Sequence, residues 1–147
     1  MDKIPRRPDL PPPLADWFAA RGWRPRPHQL AVLQRAWAGH SVLLTAPTGG
    51  GKTLAGFLPS LCDLMGDAGA AQRNDRLHTL YLSPLKALAV DVRRNLEAPI
   101  AEMAVPIRVE SRTGDTPQSR RQRQRRKPPH ILLTTPEQLA LLLSYRD

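Results

Sequence analysis

The stretch 41-SVLLTAPTGGGKTLAGFLPSL-61 decides how this 147-residue chain is read. Its first run, 41–45, is continuous in apolar character, as a buried parallel strand should be. Its last part carries Leu54, Phe57, Leu58 and Leu61 at helical spacing, with Pro59 expected to kink the helix. Three glycines stand between the two. A helix N-terminus presents unpaired N–H groups and a partial positive charge. An anion placed there is stabilised by both. For several N–H groups to converge on one anion the loop must curl tightly, and glycine permits those backbone angles and a close approach.

The segment 46-APTGGGKT-53 fits the phosphate-binding pattern G-x-x-x-x-G-K-T, with Ala46 in the first glycine position. On this reading Ala46, Thr48, Gly49, Gly50, Gly51, Lys52 and Thr53 hold a nucleoside triphosphate. Lys52 reaches its β- and γ-phosphates, and the Thr53 hydroxyl is the metal ligand, on Mg2+. Lys52 and Thr53 are therefore the catalytic candidates.

The remaining chain repeats the same alternation. Residues 1–13 are charged and proline-rich and read as a loose arm, leaving 14–147 as the ordered domain. Helices are expected over 14–22, closed by Gly22, and over 28–38, where Leu30, Leu33 and Trp37 share a face. The polar stretch 66–75 reads as a loop. Strands are expected at 78–83, 106–111 and 130–134. Helices should follow at Pro84, with Leu85, Leu88, Val92 and Leu96, and at Pro136, with Leu139, Leu142 and Leu143. Strand and crossover in alternation predict an α/β fold: a parallel sheet with helices on both faces.

Composition excludes several classes. Cys62 is the only cysteine, so no internal disulfide forms, which fits a reducing compartment. The four histidines show no ligand spacing and no zinc signature. No apolar run approaches the roughly 18 residues of a membrane span, and the N-terminus has no apolar signal region. The formal charge is +9, and 120-RRQRQRRK-127 supplies six positive charges of its own. Such a run suits a polyanionic partner, with a solvated face as the alternative.

A phosphate loop alone does not separate kinases, GTPases, transporters and helicases; the other blocks do. The sequence resembles the superfamily 2 helicases. APTGGGKT is similar to their motif I, 83-SPLKALA-89 to motif Ia, 113-TGD-115 to motif Ib, and 134-TTPEQL-139 to the block after it. In 25-PRPHQ-29, Gln29 precedes Lys52 by 23 residues, as in the adenine-reading Q-type motif. The wording of 22–33, 54–61, 83–100 and 112–143 is similar to Lhr-type proteins, specifically the bacterial ligase-associated DEXH-box DNA helicases. The resemblance spans about residues 10–147.

That resemblance implies a P-loop NTPase, or RecA-like, domain of which this chain holds the N-terminal part. It implies ATP and Mg2+ as cofactors and DNA, single-stranded or with a single-stranded tail, as partner. DNA ligase and nuclease partners in DNA repair, a cytoplasmic bacterial location and no membrane partner come with it. Gln29 would read the adenine, although a buried glutamine also serves as a helix cap; Trp23 or Arg24 would pack on the base. Pro84, Lys86 and Ala87 would hold a DNA phosphate, and Thr113, Gly114, Asp115, Thr135 and Glu137 would continue that track.

The family's next strand carries an Asp-Glu-x-His box, and these 147 residues contain no Asp-Glu pair. The expectation is therefore a helicase piece that does not hydrolyse ATP usefully by itself and that has poor solubility. The alternative is a non-hydrolysing module that binds ATP and nucleic acid. A P-loop kinase using 120–127 as a lid leaves the TGD and TTPEQ blocks without a role.

Overall fold

The computed structural model describes residues 9–66 and 75–145. The chain divides into two compact units, Met1–Gly66 and Asp67–Asp147.

The first unit is helical. Helix α1 spans Pro12–Ala20, α2 Pro27–Trp37 and α3 Lys52–Gly66. Prolines open α1 and α2, where the missing N–H costs nothing and the fixed φ suits the helix. Helix α1 thus begins inside the stretch expected as a loose arm; residues 1–8 of that arm lie outside the described residues. Both helices end in the same way. After α1, Gly22 at φ +65° lets its own N–H reach Ala19 and the Trp23 N–H reach Phe18. After α2, Gly39 at φ +78° does the same with Ala36 and, through His40, Arg35.

Helices α2 and α3 pack together. Leu33, Leu58 and Leu61 are fully buried in this unit, with Val32, Phe57, Cys62 and Met65 close to it. Trp37, expected on the apolar face of α2, is half exposed, and its indole N–H donates to Asp63 Oδ1 at 3.1 Å. Helix α3 continues through Pro59 as one element of 15 residues.

Residues 41–45 correct the reading of the sequence: they form no strand. A strand exists through hydrogen bonds to a neighbour, and among the described residues none pairs with this segment. Val42 and Leu43 are exposed, Leu43 at 90%, while Leu44 is half-buried.

The second unit carries the sheet: β1 Thr79–Leu82, α4 Lys86–Glu102, β2 Val109–Arg112, α5 Gln118–Arg126, β3 Ile131–Thr134 and α6 Pro136–Ser144. The strand order is β1-β3-β2, all parallel, so the last strand lies between the first two. Ile131 is level with Thr79 and Val109, and Thr134 with Leu82 and Arg112. The central position explains why all four residues of β3 are buried while β1 alternates. Helix α4 packs on β2 and β3 through Ala89, Val92, Leu96 and Ile100. Leu88 and Leu143, expected on buried faces, are 43% and 77% exposed. Buried His130 acts structurally: its Nδ1 accepts the Arg108 N–H at 3.0 Å, joining the segments that lead into β2 and β3. The parallel α/β arrangement is thus present, with three strands where the sequence suggested four. Most of the polar loop expected at 66–75 lies outside the described residues.

Candidate nucleotide site and nucleic-acid interface

In the first unit the glycine loop runs directly into α3, whose first two residues are Lys52 and Thr53, both exposed. The Gly50 N–H donates to Pro47 O at 3.1 Å and closes the turn. Gly49 and Gly51 adopt φ +80° and +74°, angles that L side chains rarely take. Gly50 is required by space: a Cβ there would lie 2.9 Å from Pro47 O. At Gly51 the positive φ is what disfavours a side chain, and a Cβ there would also lie 2.8 Å from Gln29 Nε2, so the Gln29 amide would have to shift. Lys52 folds back across this curl, and its ammonium donates to Ala46 O at 2.5 Å. Thr48 is exposed on the turn.

Gln29 is buried and ties the loop to α2. Its Oε1 accepts the Arg26 N–H at 2.8 Å, and its Nε2 donates to Gly51 O at 3.3 Å. The same Gly51 carbonyl accepts the Ala55 N–H, the first hydrogen bond of α3. Arg26 adds a second tie, Nη1 to Gly49 O at 3.1 Å. Arg26 was missed in the sequence, where nothing distinguishes it from Arg24 beside the neighbouring proline.

A cavity of about 440 Å3 opens beside this junction, lined by Phe18, Trp23, Arg24, Arg26, Gln29, Gly51 and Leu54 among others. Trp23 is half exposed there. Its ring meets Trp17 edge-on at 5.8 Å, and the Arg21 guanidinium lies 4.9 Å from the Trp17 ring and 5.1 Å from that of Trp23. Gln29, Trp23 and Arg24 therefore share one cavity wall with the glycine loop. Cys62, buried at the other end of α3, takes no part: burial, and then Asp63, push its thiol up to about 12.

In the second unit the predicted polar residues lie just past the carboxyl ends of three adjacent strands. Pro84 and Lys86 follow β1, Thr113, Gly114 and Asp115 follow β2, and Thr135 and Glu137 follow β3. That is the edge of an open α/β sheet where ligands bind. Buried Ser83 shapes the first crossover, its Oγ bonded to both the carbonyl and the N–H of Leu85. Helix α4 starts at Lys86 with no side-chain cap, and Ala87 is exposed in its first turn. The Lys86 ammonium forms an ion pair with the Asp115 carboxylate, joining the first two blocks.

Residues 113–116 form a tight turn. The Thr113 N–H donates to Thr116 Oγ1 at 2.9 Å, and the Thr116 N–H donates back to Thr113 O at 3.1 Å. Thr135 is buried at the start of α6 but makes no capping bond with its side chain. The exposed Glu137 carboxylate is held below its usual range by its own backbone N–H and then by the Thr135 hydroxyl. The Thr135 hydroxyl thus donates to the Glu137 carboxylate, and its oxygen accepts no N–H from the first turn of α6.

The basic run forms α5, and three of its cations have partners within the unit. Arg121 bonds three carbonyls of the 113–116 turn, Arg123 pairs with Glu110, and Arg125 stacks 4.3 Å from the centre of the Tyr145 ring. Arg112, 1% exposed, donates from Nη1 to Arg121 O at 3.3 Å. Burial, then the nearby Arg121, lower its pKa from the usual guanidinium value.

The model of the DEAD/DEAH box helicase family matches residues 26–147. The chain belongs to that family. The glycine loop of this helicase domain precedes α3, and the blocks after β1, β2 and β3 border its sheet. Among relatives, the domain is 39% identical over 145 residues to the ATP-dependent helicase Lhr-Core of Methanocaldococcus jannaschii, covering 92% of this chain and 17% of that protein. It is 40% identical over 149 residues to the Lhr helicase/uracil glycosylase of Escherichia coli, covering 92% of this chain and 10% of that one. Among solved structures it is similar to the Mycobacterium smegmatis helicase Lhr bound to ssDNA and AMP-PNP, with TM-score 0.81, 38% identity, and 92% and 18% of the two chains covered. The DUF1998 helicase MrfA bound to DNA and AMPPNP gives TM-score 0.78 at 31% identity, covering 94% of this chain and 18% of that one. The helicase domain described here therefore spans less than a fifth of each of these relatives.

Proposed function

We propose that the chain is the ATP-binding part of an ATP-dependent DNA helicase or translocase working in DNA repair. The observation that carries this reading is the junction of Gln29, Gly51 and Lys52, where a glycine curl, a helix N-terminus and an aromatic-walled cavity meet. The residues fit ATP with Mg2+. The curl is held open at two places where a Cβ would collide, a cation lies across it, and a hydroxyl follows.

Lys52 exchanges the Ala46 carbonyl for phosphate oxygens, while the first N–H groups of α3 face the same charge. Thr53 would hold Mg2+ through its hydroxyl, and the ion, when bound, would supply charge neutralisation at the phosphates. Trp23 and Arg24 flank the base. Gln29 turns its amide from Arg26 and Gly51 toward the adenine, so base recognition and loop shape draw on one side chain. The blocks after β1, β2 and β3 hold the backbone of single-stranded DNA without reading its bases. The M. smegmatis relative, seen with ssDNA and AMP-PNP, supports both ligands. A cytoplasmic location and cooperation with a DNA ligase and a nuclease complete the reading.

The test is Lys52→Ala in the intact protein. ATP affinity should fall at least about a hundredfold, roughly 2.7 kcal/mol, with DNA-stimulated hydrolysis lost. Unchanged affinity for a fluorescent ATP analogue would remove the reading. The alternative reading is a module that binds ATP and nucleic acid without hydrolysis. DNA-stimulated phosphate release decides between the two.

A further inference from the structure

We infer that Arg121 is a positioning residue that turns the 113–116 backbone into a receptor for a phosphodiester. The inference rests on the reading that this rim takes nucleic acid. In the sequence Arg121 is one of six like cations in 120–127, all equal candidates for phosphate contact. The structure gives it a different task. Its Nε donates to Thr116 O at 2.8 Å, and its Nη2 donates to Thr113 O at 3.1 Å and Gly114 O at 2.7 Å. Three of the four carbonyls of one turn thus converge on a single guanidinium. The planar fork of arginine supplies those three donors at fixed angles, and a lysine cannot. The other end of the residue is anchored too, because the Arg121 carbonyl accepts from the buried Arg112.

The consequence follows from peptide geometry. In a trans peptide the C=O and the N–H of the next residue point in opposite directions. Carbonyls of Thr113 and Gly114 drawn onto Arg121 aim the N–H groups of Gly114 and Asp115 away from it. Both residues are exposed, and neither N–H is bonded among the described residues. Two outward N–H groups then lie in the turn whose Asp115 carboxylate holds the Lys86 ammonium. Two such donors beside a cation suit an anion. The guanidinium on the far side polarises both peptide groups and strengthens them as donors.

The experiment compares Arg121→Lys, Arg121→Gln and Thr116→Val in the intact protein. Binding of a fluorescent oligo-dT is measured across a salt series, with DNA-stimulated ATP hydrolysis in parallel. A positioning role predicts that Lys and Gln both weaken binding about tenfold with the log–log salt slope unchanged. Thr116→Val, which removes no charge, should weaken binding in the same sense. The DNA concentration for half-activation should rise while kcat at saturating DNA and KM for ATP stay put. A direct phosphate contact predicts the reverse: Lys rescues, and Gln reduces the slope by about 0.7. That result would overturn the inference, as would wild-type binding by all three variants. Lack of oligo-dT binding by the unaltered protein would remove the reading of the rim and the inference with it.

Discussion

Gln29 Nε2 donates to the Gly51 carbonyl, the same oxygen that accepts the first hydrogen bond of α3. One amide therefore ties the end of the glycine loop to the start of α2, with Arg26 adding a tie to Gly49.

A methyl group at position 51 would meet that amide at 2.8 Å and would also sit on a backbone at φ +74°. Gly51→Ala should cost roughly 1–3 kcal/mol of stability and at least tenfold in ATP affinity. Gly51→Ala combined with Gln29→Ala removes the collision and leaves the backbone strain. A double-mutant cycle by chemical denaturation should show the two changes coupled, less destabilising together than their sum.

The Lys86–Asp115 pair is about half exposed on one side and 73% exposed on the other. Pairs of this kind contribute about 0–1 kcal/mol, so Lys86→Gln and Asp115→Asn should leave the melting temperature nearly unchanged. Lys86→Gln should reduce the salt slope of single-strand binding by about 0.7. Asp115→Asn keeps the backbone N–H and frees the lysine, so binding should be kept or tightened. A tenfold loss in Asp115→Asn would show instead that the carboxylate itself is needed.

Cys62 is 2% exposed, and its thiol is pushed up to about 12 from an ordinary value of 9.0. The folded state keeps this proton while the unfolded chain gives it up. The associated stability is complete below pH 9 and is lost as pH rises toward the folded value, by up to about 1.4 kcal/mol per pH unit. Denaturation midpoints from pH 8 to 11 should show this alkaline fall, and Cys62→Ala should lack the thiol's part of it. Alkylation by iodoacetamide at pH 8 should be slow until denaturant is added.

Leu43 stands 90% exposed in an apolar segment that has no strand partner among the described residues. Segments of this type recruit other chains. Leu43→Lys should raise the concentration at which the 147-residue chain aggregates, with little change in its melting temperature. Light scattering at matched concentrations checks this, and an unchanged threshold would show that another surface drives association.

The sequence by itself determined what depends on neighbours along the chain. Prolines at Pro12 and Pro27 and glycines at Gly22 and Gly39 place helix ends through their own allowed φ angles. The order apolar run, glycines, Lys52, helix fits the phosphate-loop pattern, which is legible because it is local. The apolar run 131–134 announces a buried strand, and as β3 it is the central one. Tertiary structure decided what depends on partners distant in sequence. Apolarity in 41–45 equals that of a strand, yet a strand needs a neighbour's N–H and C=O groups, and none reaches it among the described residues. Charge in 120–127 is visible at once, but its use is not. Arg121 is held by carbonyls five to eight residues away, and Arg123 by Glu110 thirteen residues away, so those contacts exist only once β2 and α5 are side by side. Gln29 meets Gly51 across 22 residues for the same reason: hydrogen bonds are short and directional, so only a folded chain brings their two ends within reach.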